Sequence, residues 1–131
     1  MGARINYIFK NSEPAIGEPY SYVVLYSHWG EDNWEQDIAI ALDHARPRWG
    51  DESYLTRMVI SYLIKDQLLD QHGFGIYAIN DITHDLGDTT VIVDINQETI
   101  IDGDKKLDWD LFIQLHAPHL HPNKVLVEQT V

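Results

Sequence analysis

The sequence contains no cysteine. Disulfide bonds, cysteine-ligated zinc, iron–sulfur clusters and thiol catalysis are therefore excluded, and 131 residues suffice to bury a core without them. The chain also lacks an apolar run near the roughly 20 residues that span a bilayer. Its first residues, Met1-Gly2-Ala3-Arg4, lead into no apolar stretch typical of a secretory signal. These absences predict a cytoplasmic protein that does not insert into a membrane.

Basic residues are few. Nine lysines and arginines stand against 21 aspartates and glutamates, which gives a formal charge of −12. A field of this sign repels nucleic-acid phosphates and anionic membranes, and it favours cations or basic protein surfaces. We therefore expect a protein partner, with no direct binding of nucleic acid and no membrane contact. Solubility is the alternative explanation of the charge, because acidic side chains promote it.

Standard catalytic signatures are missing as well. The sequence has no phosphate-binding Gly-Lys-Ser/Thr loop, no Gly-x-Ser-x-Gly elbow and no His-Glu-x-x-His helix. Gly73-Phe74-Gly75 lacks the third glycine and the following helix of a dinucleotide site, so it indicates a bend in a strand. We assign no catalytic residue, cofactor or bound metal, and we expect a protein that is not an enzyme.

The first third of the chain predicts two strands and a helix. Residues 3–10 and 20–28 are rich in β-branched and aromatic side chains, and the short loop between them favours an antiparallel hairpin. Trp34 then begins an amphipathic helix whose apolar residues recur on one face as far as Ala45. Pro47 ends this helix.

A second helix is predicted over residues 52–69, with Asp51 as its cap. It has one apolar face around Leu55 and Val59 and a second stripe at Ile60, Ile64 and Leu68. A helix that is apolar on two sides is buried on two sides. The pattern favours a central helix covered by another element, with an exposed patch for self-association as the alternative.

The second half of the chain returns to the period of a strand. Alternation predicts strands at 73–80 and 89–96, with a return arm at 99–101. Residues 107–115 predict a short helix capped by Asp108.

These elements group the strands at both ends of the chain, which indicates an α+β fold. We expect a mainly antiparallel sheet with two or three helices packed on one face. Residues 1–116 would form a single α+β domain. Residues 117–131, which contain two prolines, would form a C-terminal arm or tail.

The best candidate binding surface combines the loop after the second strand with the segment after the first helix. Tryptophan and arginine are enriched at binding hot spots, and arginine also binds phosphate with two hydrogen bonds. The tryptophans could alternatively fill corners of the core, an explanation that suits Trp34 best. The predicted binding residues are His28, Trp29, Glu31, Asp32, Arg46, Arg48 and Trp49.

Two further groups have the composition of cation sites. His116, His119 and His121 lie close together, and with a carboxylate such a trio can hold zinc, manganese or iron. A polar tail next to two prolines explains the same residues without a metal. The aspartates of residues 81–88 and 102–110 lack the spacing of a calcium loop, so turn and capping roles explain them better.

Three runs of the sequence, Val24–Gly30, Ala45–Trp49 and Gly73–Tyr77, resemble a group of small uncharacterised proteins of tailed bacteriophages and prophages. The resemblance covers roughly residues 1–115. The group has no assigned catalytic residues, so it implies none here. It implies a small accessory protein that acts inside an infected bacterium. By analogy, small acidic phage proteins include inhibitors of host defence such as anti-CRISPR proteins.

The leading hypothesis is therefore a phage-type accessory protein that binds and inhibits a host protein, one that handles nucleic acid, through an acidic surface. The first alternative is a small-molecule binder that sequesters a nucleotide signal with Trp29, Arg46, Arg48 or Trp49. The others are a metal-dependent hydrolase built on the histidine trio and a virion or assembly component. The sequence leaves homo-oligomers open.

Overall fold

The computed structural model describes residues 4–11, 14–28, 33–82 and 89–122. Within these ranges the chain forms six strands and three α-helices, numbered in chain order. The strands are β1 Ile5–Lys10, β2 Tyr22–Ser27, β3 Phe74–Ile79, β4 Thr89–Asp94, β5 Thr99–Asp102 and β6 Lys105–Asp108. The helices are α1 Trp34–His44, α2 Glu52–Ile64 and α3 Trp109–His116, and short 3-10 helices follow each of them at Arg46–Arg48, Lys65–Gln67 and Pro118–Leu120.

All six strands join one mixed sheet in the order β3-β2-β1-β4-β5-β6. β1 pairs antiparallel with β2, which confirms the predicted hairpin, and it pairs parallel with β4 on its other side. The remaining neighbours are antiparallel. The α+β class is confirmed, and the sheet is mixed because one parallel seam joins an N-terminal and a C-terminal antiparallel half.

Alternation along the central strands divides the apolar side chains between the two sides of the sheet. Ile5, Tyr7 and Phe9 of β1 belong to the larger core, together with the buried residues of α1, α2 and α3. Ile8 and Val24 point to the opposite side, where they form a smaller cluster. Both Ile8 and Val24 are fully buried, so β1 and β2 are covered on both sides.

α1 is the central helix, since it contacts both α2 and α3. Its buried alanines, Ala39, Ala41 and Ala45 at its end, allow the neighbouring elements to approach closely. The prediction that α2 is buried on two sides is wrong at its far end. α2 stops at Ile64, a 3-10 turn follows, and Leu68 of the second stripe is 63% exposed.

The C-terminal half begins as predicted and then adds a strand that the sequence pattern missed. The Asp108 side chain accepts a hydrogen bond from the Leu111 backbone N–H at 2.8 Å, which confirms it as the cap of α3. β6 was not predicted because Lys105 and Lys106 break the apolar alternation. Of the predicted arm, Ala117 is fully buried, and residues 123–131 lie outside the described ranges.

Candidate functional site

The predicted binding segment Arg46–Trp49 forms the 3-10 turn between α1 and α2. Arg46 donates through Nε and Nη2 to Asp43 Oδ1, at 3.2 and 3.0 Å. Its Nη1 lies 3.3 Å from Asp110 Oδ1, and its guanidinium stands 4.5 Å from the centre of the Trp49 ring. Arg46 therefore joins α1 to α3 with an ion pair on each side and a cation–π contact.

Arg48 is held in a similar way at the surface. Its Nη1 donates to Asp51 Oδ2 at 3.3 Å, and its guanidinium lies 4.4 Å from the centre of the Tyr54 ring. Both partners of the ion pair are about half exposed, so the pair stabilises the fold little. Both arginines that the sequence offers for phosphate binding are thus engaged with carboxylates of the same chain.

Trp49 is partly a core residue. Its indole N–H donates to the Leu42 carbonyl at 2.9 Å, and its ring meets Trp109 edge-on at 5.1 Å. Trp109 is fully buried, and its own N–H donates to the Thr99 carbonyl at 3.0 Å. The half-buried Trp49 keeps part of its indole at the surface, where it faces a cavity.

This acidic cavity, of about 350 Å³, lies between Trp49, the β4–β5 turn and the start of α3. The residues that give it its character are Trp49, Gln97, Glu98, Asp108, Asp110 and Gln114. Three carboxylates and two carboxamides therefore surround one exposed indole edge. Lys106 reaches the rim, where its ammonium donates to Gln97 Oε1 at 2.9 Å.

Of the residues that give the acidic cavity its character, only Trp49 was predicted as a binding residue, and Glu98 is one of those that sequence reasoning missed. Its φ of 56° lies in the left-handed region, which costs a residue with a side chain about 1 kcal/mol or more. The surrounding hydrogen bonds hold it there, because its carbonyl accepts from the Trp109 N–H at 2.9 Å. Nothing in Asn96-Gln97-Glu98 signals this conformation, since the turn has no glycine at that position.

The loop after β2 is described only at its start. The His28 N–H donates to the Gly73 carbonyl at 2.8 Å, and His28 Nδ1 lies 3.2 Å from the Tyr26 hydroxyl. Trp29, Glu31 and Asp32 lie outside the described residues. The structure therefore brings Arg46, Arg48 and Trp49 together in the turn between α1 and α2, and it places His28 directly after β2.

The histidine trio is dispersed among separate contacts. His121 Nε2 lies 2.8 Å from Asp43 Oδ1, whereas the His116 ring packs on Phe112 at 4.4 Å. Burial lowers the pKa of His116. Burial alone would raise the pKa of Asp43, but hydrogen bonds from His121 and Arg46 hold it below its ordinary value. Among the described residues, no group of three histidine, aspartate or glutamate side chains is arranged to hold a metal ion.

A second cavity, of about 240 Å³, lies over Tyr7 near the ends of β2 and α2, and we refer to it as the Tyr7 cavity. Its wall includes Ser27, Asp37, Tyr62 and Lys65. Burial, and then the nearby charges of Asp37 and Glu35, raise the pKa of the Tyr7 phenol well above its ordinary value. The phenol therefore stays neutral and can donate a hydrogen bond at the floor of the cavity.

Side chains of opposite charge line the same Tyr7 cavity. Burial raises the pKa of the Asp37 carboxyl, and the Lys65 ammonium opposes this effect. The Lys65 ammonium also lies 3.9 Å from the centre of the Tyr62 ring. A neutral donor, a carboxylate and an ammonium can together bind a small polar molecule. A phenol whose pKa is raised is unsuited to act as a general base.

No helix within the described ranges combines the length and the apolar character needed to cross a membrane. Comparisons of the chain with protein-family models, with curated proteins and with solved structures give no match.

Proposed function

We propose that this chain is a non-enzymatic accessory protein of phage type that binds a host protein through its acidic surface and inhibits it. The partner would carry a basic groove of the kind that handles nucleic acid. The chain would occupy that groove with carboxylates in place of phosphates. We also propose that the protein is cytoplasmic and that its helices form a single layer on one side of the sheet.

One observation carries the proposal: the cations of the predicted binding segment are neutralised within the chain, and carboxylates remain in excess beside them. Arg46 and Arg48 face Asp43, Asp110 and Asp51. Glu98 and Asp108 add two more carboxylates at the acidic cavity. A phosphate-bearing ligand would meet negative charge there, whereas a lysine or arginine of a partner would meet acceptors.

In this proposal, the acidic cavity of about 350 Å³ receives one long basic side chain of the partner. A partner's guanidinium can pair with carboxylate oxygens through two parallel hydrogen bonds. Its aliphatic stem can lie along the exposed part of Trp49, since arginine and lysine bury their stems on apolar surface. The total charge of −12 would accelerate encounter with a basic partner, and added salt would slow it.

Glu98→Lys is expected to weaken binding to the protein partner by about tenfold or more, because it places an ammonium where the partner brings its own. The partner would first be captured from a bacterial lysate and identified, and its affinity would then be measured by titration calorimetry. Nucleic acid added to the mixture should displace the chain from this partner.

Glu18→Lys is the matched control, because Glu18 is an exposed carboxylate in the β1–β2 loop and its reversal changes the net charge equally. It should alter the affinity by no more than about threefold, through long-range steering alone. Equal affinities of the two variants for the partner would contradict a contact at the acidic cavity. Binding indifferent to competing nucleic acid would contradict occupation of a nucleic-acid groove.

A second candidate function, small-molecule sequestration, is favoured by the Tyr7 cavity. Tyr7 is only 2% exposed, yet it lines a cavity with a half-buried carboxylate beside it. Partial burial of the Asp37 charge lowers the stability of the fold. Such a cost is tolerated where the carboxylate has a function, such as binding a ligand. The neighbouring acidic residues Glu35 and Asp66 favour a ligand without phosphate.

Asp37→Asn is expected to raise the melting temperature at pH 7. Because the pKa of Asp37 is raised in the folded state, the folded chain holds this proton more tightly and its stability falls as the pH rises above the ordinary value of 3.8. The variant removes that loss, so its advantage should shrink as the pH falls towards 3.8. Scanning calorimetry between pH 7 and pH 3.8 measures the difference in melting temperature between the variant and the wild type.

Asp66→Asn is the control for the same cavity, because the Asp66 side chain is 88% exposed and its replacement should leave the melting temperature unchanged. Native mass spectrometry of gently purified protein gives the second readout. A small bound mass on the wild type and on Asp66→Asn, absent from Asp37→Asn, would support sequestration. A bare mass on all three proteins would contradict it.

A further inference from the structure

The two edges of the sheet are built differently. β6, at one edge, has four residues, of which Lys105, Lys106 and Asp108 carry charge. Short length and lysine are devices by which proteins keep an edge strand from pairing with another chain. β3, at the other edge, has six residues, Phe-Gly-Ile-Tyr-Ala-Ile, with no charge and no proline. β3 therefore carries none of the protection that β6 has.

The backbone groups that β3 presents at this edge follow from its pairing with β2. The His28 N–H donates to the Gly73 carbonyl, so these opposed residues form a hydrogen-bonded pair of the antiparallel ladder. Such pairs alternate with pairs that exchange no hydrogen bond. Gly75, Tyr77 and Ile79 consequently direct their N–H and C=O groups towards β2. Those of Phe74, Ile76 and Ala78 point outward.

Apolar side chains are exposed beside these outward groups. Ile76 is 60% exposed on β3, and Tyr77 is 39% exposed. Leu68 and Leu69, on the segment that leads into β3, are 63% and 94% exposed. A large apolar side chain is costly to leave in water, and several near one strand edge indicate an interaction surface.

We propose that the outer edge of β3, with which no strand of the described residues pairs, pairs antiparallel with β3 of a second copy of this chain, forming one continuous twelve-stranded sheet across a two-fold axis. The axis passes through the Ile76 pair, because the three outward-facing residues are symmetric about Ile76. Ile76 then pairs with Ile76 of the second copy, and Phe74 pairs with its Ala78. All outward N–H and C=O groups of the three residues are satisfied, and Tyr77 covers the opposing Gly75.

The self-complementary register of β3 favours a second copy as the occupant, and charge restricts where two copies can meet. Two copies that each carry −12 repel one another, so they can meet only where no carboxylates oppose. β3 is uncharged along its whole length, and its pattern of residues is complementary to itself in the two-fold register. A stable interface takes roughly 800 Å² per partner, so the exposed apolar residues beside β3 must contribute to it as well as the strand.

Sedimentation equilibrium of the full chain tests the proposal. We expect a mass close to twice 15.1 kDa at roughly 100 µM, and tighter association when salt screens the repulsion. Ile76→Lys should weaken the dimer more than tenfold, since two ammoniums would oppose each other across the axis. Leu115→Lys, the same change at an exposed position on α3, should leave the dimer intact. A monomeric wild type, or equal dissociation by both variants, would overturn the proposal.

Ala78→Pro covers the case in which Ile76→Lys fails to fold. Proline removes only an outward N–H, which an edge strand tolerates, and it should still yield folded monomer. The register is tested by single cysteines, because the chain has none of its own. Ile76→Cys places two Cα atoms about 5.5 Å apart, within the range of a disulfide, and should cross-link on oxidation. Cross-linking by Ala78→Cys in its place would refute this register.

Discussion

Trp109→Ala is expected to lower the free energy of unfolding by about 4 kcal/mol. Trp109 is fully buried, and it joins three parts of the molecule. Its backbone N–H donates to the Glu98 carbonyl, its indole N–H donates to the Thr99 carbonyl, and its ring packs edge-on against Trp49. Removing the indole leaves a cavity and also removes its hydrogen bond to the Thr99 carbonyl. Urea unfolding followed by far-ultraviolet circular dichroism measures the loss without using tryptophan emission.

Trp109→Phe separates the effect of the lost packing from the effect of the lost hydrogen bond. Phenylalanine keeps most of the apolar volume and the contact with Trp49, but it lacks the indole N–H that donates to the Thr99 carbonyl. The cost should be about 1 to 2 kcal/mol, from one lost hydrogen bond and the smaller ring. A loss in Trp109→Ala no larger than that in Trp109→Phe would show that the packing of the indole contributes little.

The local elements were predictable because they rest on neighbouring residues. The alternation of Ile5, Tyr7 and Phe9 identifies β1, and Asp108 followed by Trp109 identifies the start of α3. The pleat of a strand and the capping hydrogen bond of a helix both involve residues that are close in sequence. β6 was not predicted because its stability comes from pairing with β5, which overrides the low strand propensity of its lysines.

The parallel seam between β1 and β4 could not be predicted in the same way. Residues such as Tyr7 and Val91 are opposed there although most of the chain separates them in sequence. Pairing of this kind is decided by which apolar faces the helices leave to be joined. The alternation of β1 and β4 is equally compatible with antiparallel neighbours, so the sequence pattern does not contain the answer.

In the candidate site too, contacts between residues close in sequence were predictable, and contacts between distant residues were not. The position of Arg46 three residues after Asp43 indicates an ion pair along the chain. Its second partner, Asp110, lies on a helix far away in sequence and was not foreseeable. The same holds for Glu98, which reaches the acidic cavity only because β5 and β6 bring α3 back beside the β4–β5 turn. Composition identified the residue types, and tertiary contacts decided which of them share a surface.

Arg46→Ala is expected to lower the free energy of unfolding by about 1 to 2 kcal/mol, after allowance for an arginine side chain that is 35% exposed. The variant removes the ion pairs with Asp43 and Asp110 and the contact with Trp49, whereas Asp43 keeps its contact with His121. Arg46→Lys should recover only part of the loss, because an ammonium lacks the planar fork that serves both carboxylates. Urea unfolding at pH 7 measures all three proteins.

Arg48→Ala is the matched control, since Arg48 lies in the same turn and makes the same kinds of contact, but with an ion pair about half exposed. Its cost should stay below about 0.5 kcal/mol. The pH gives an independent check on Arg46. Although burial opposes them, hydrogen bonds from His121 and then from Arg46 lower the pKa of Asp43 in the folded state. The contribution of Asp43, which Arg46 shares with His121, is therefore present above the ordinary pKa of 3.8 and is lost as the pH falls through the lowered value. The cost of Arg46→Ala should therefore shrink in acid, and a cost independent of pH would assign the effect to packing on Trp49 alone.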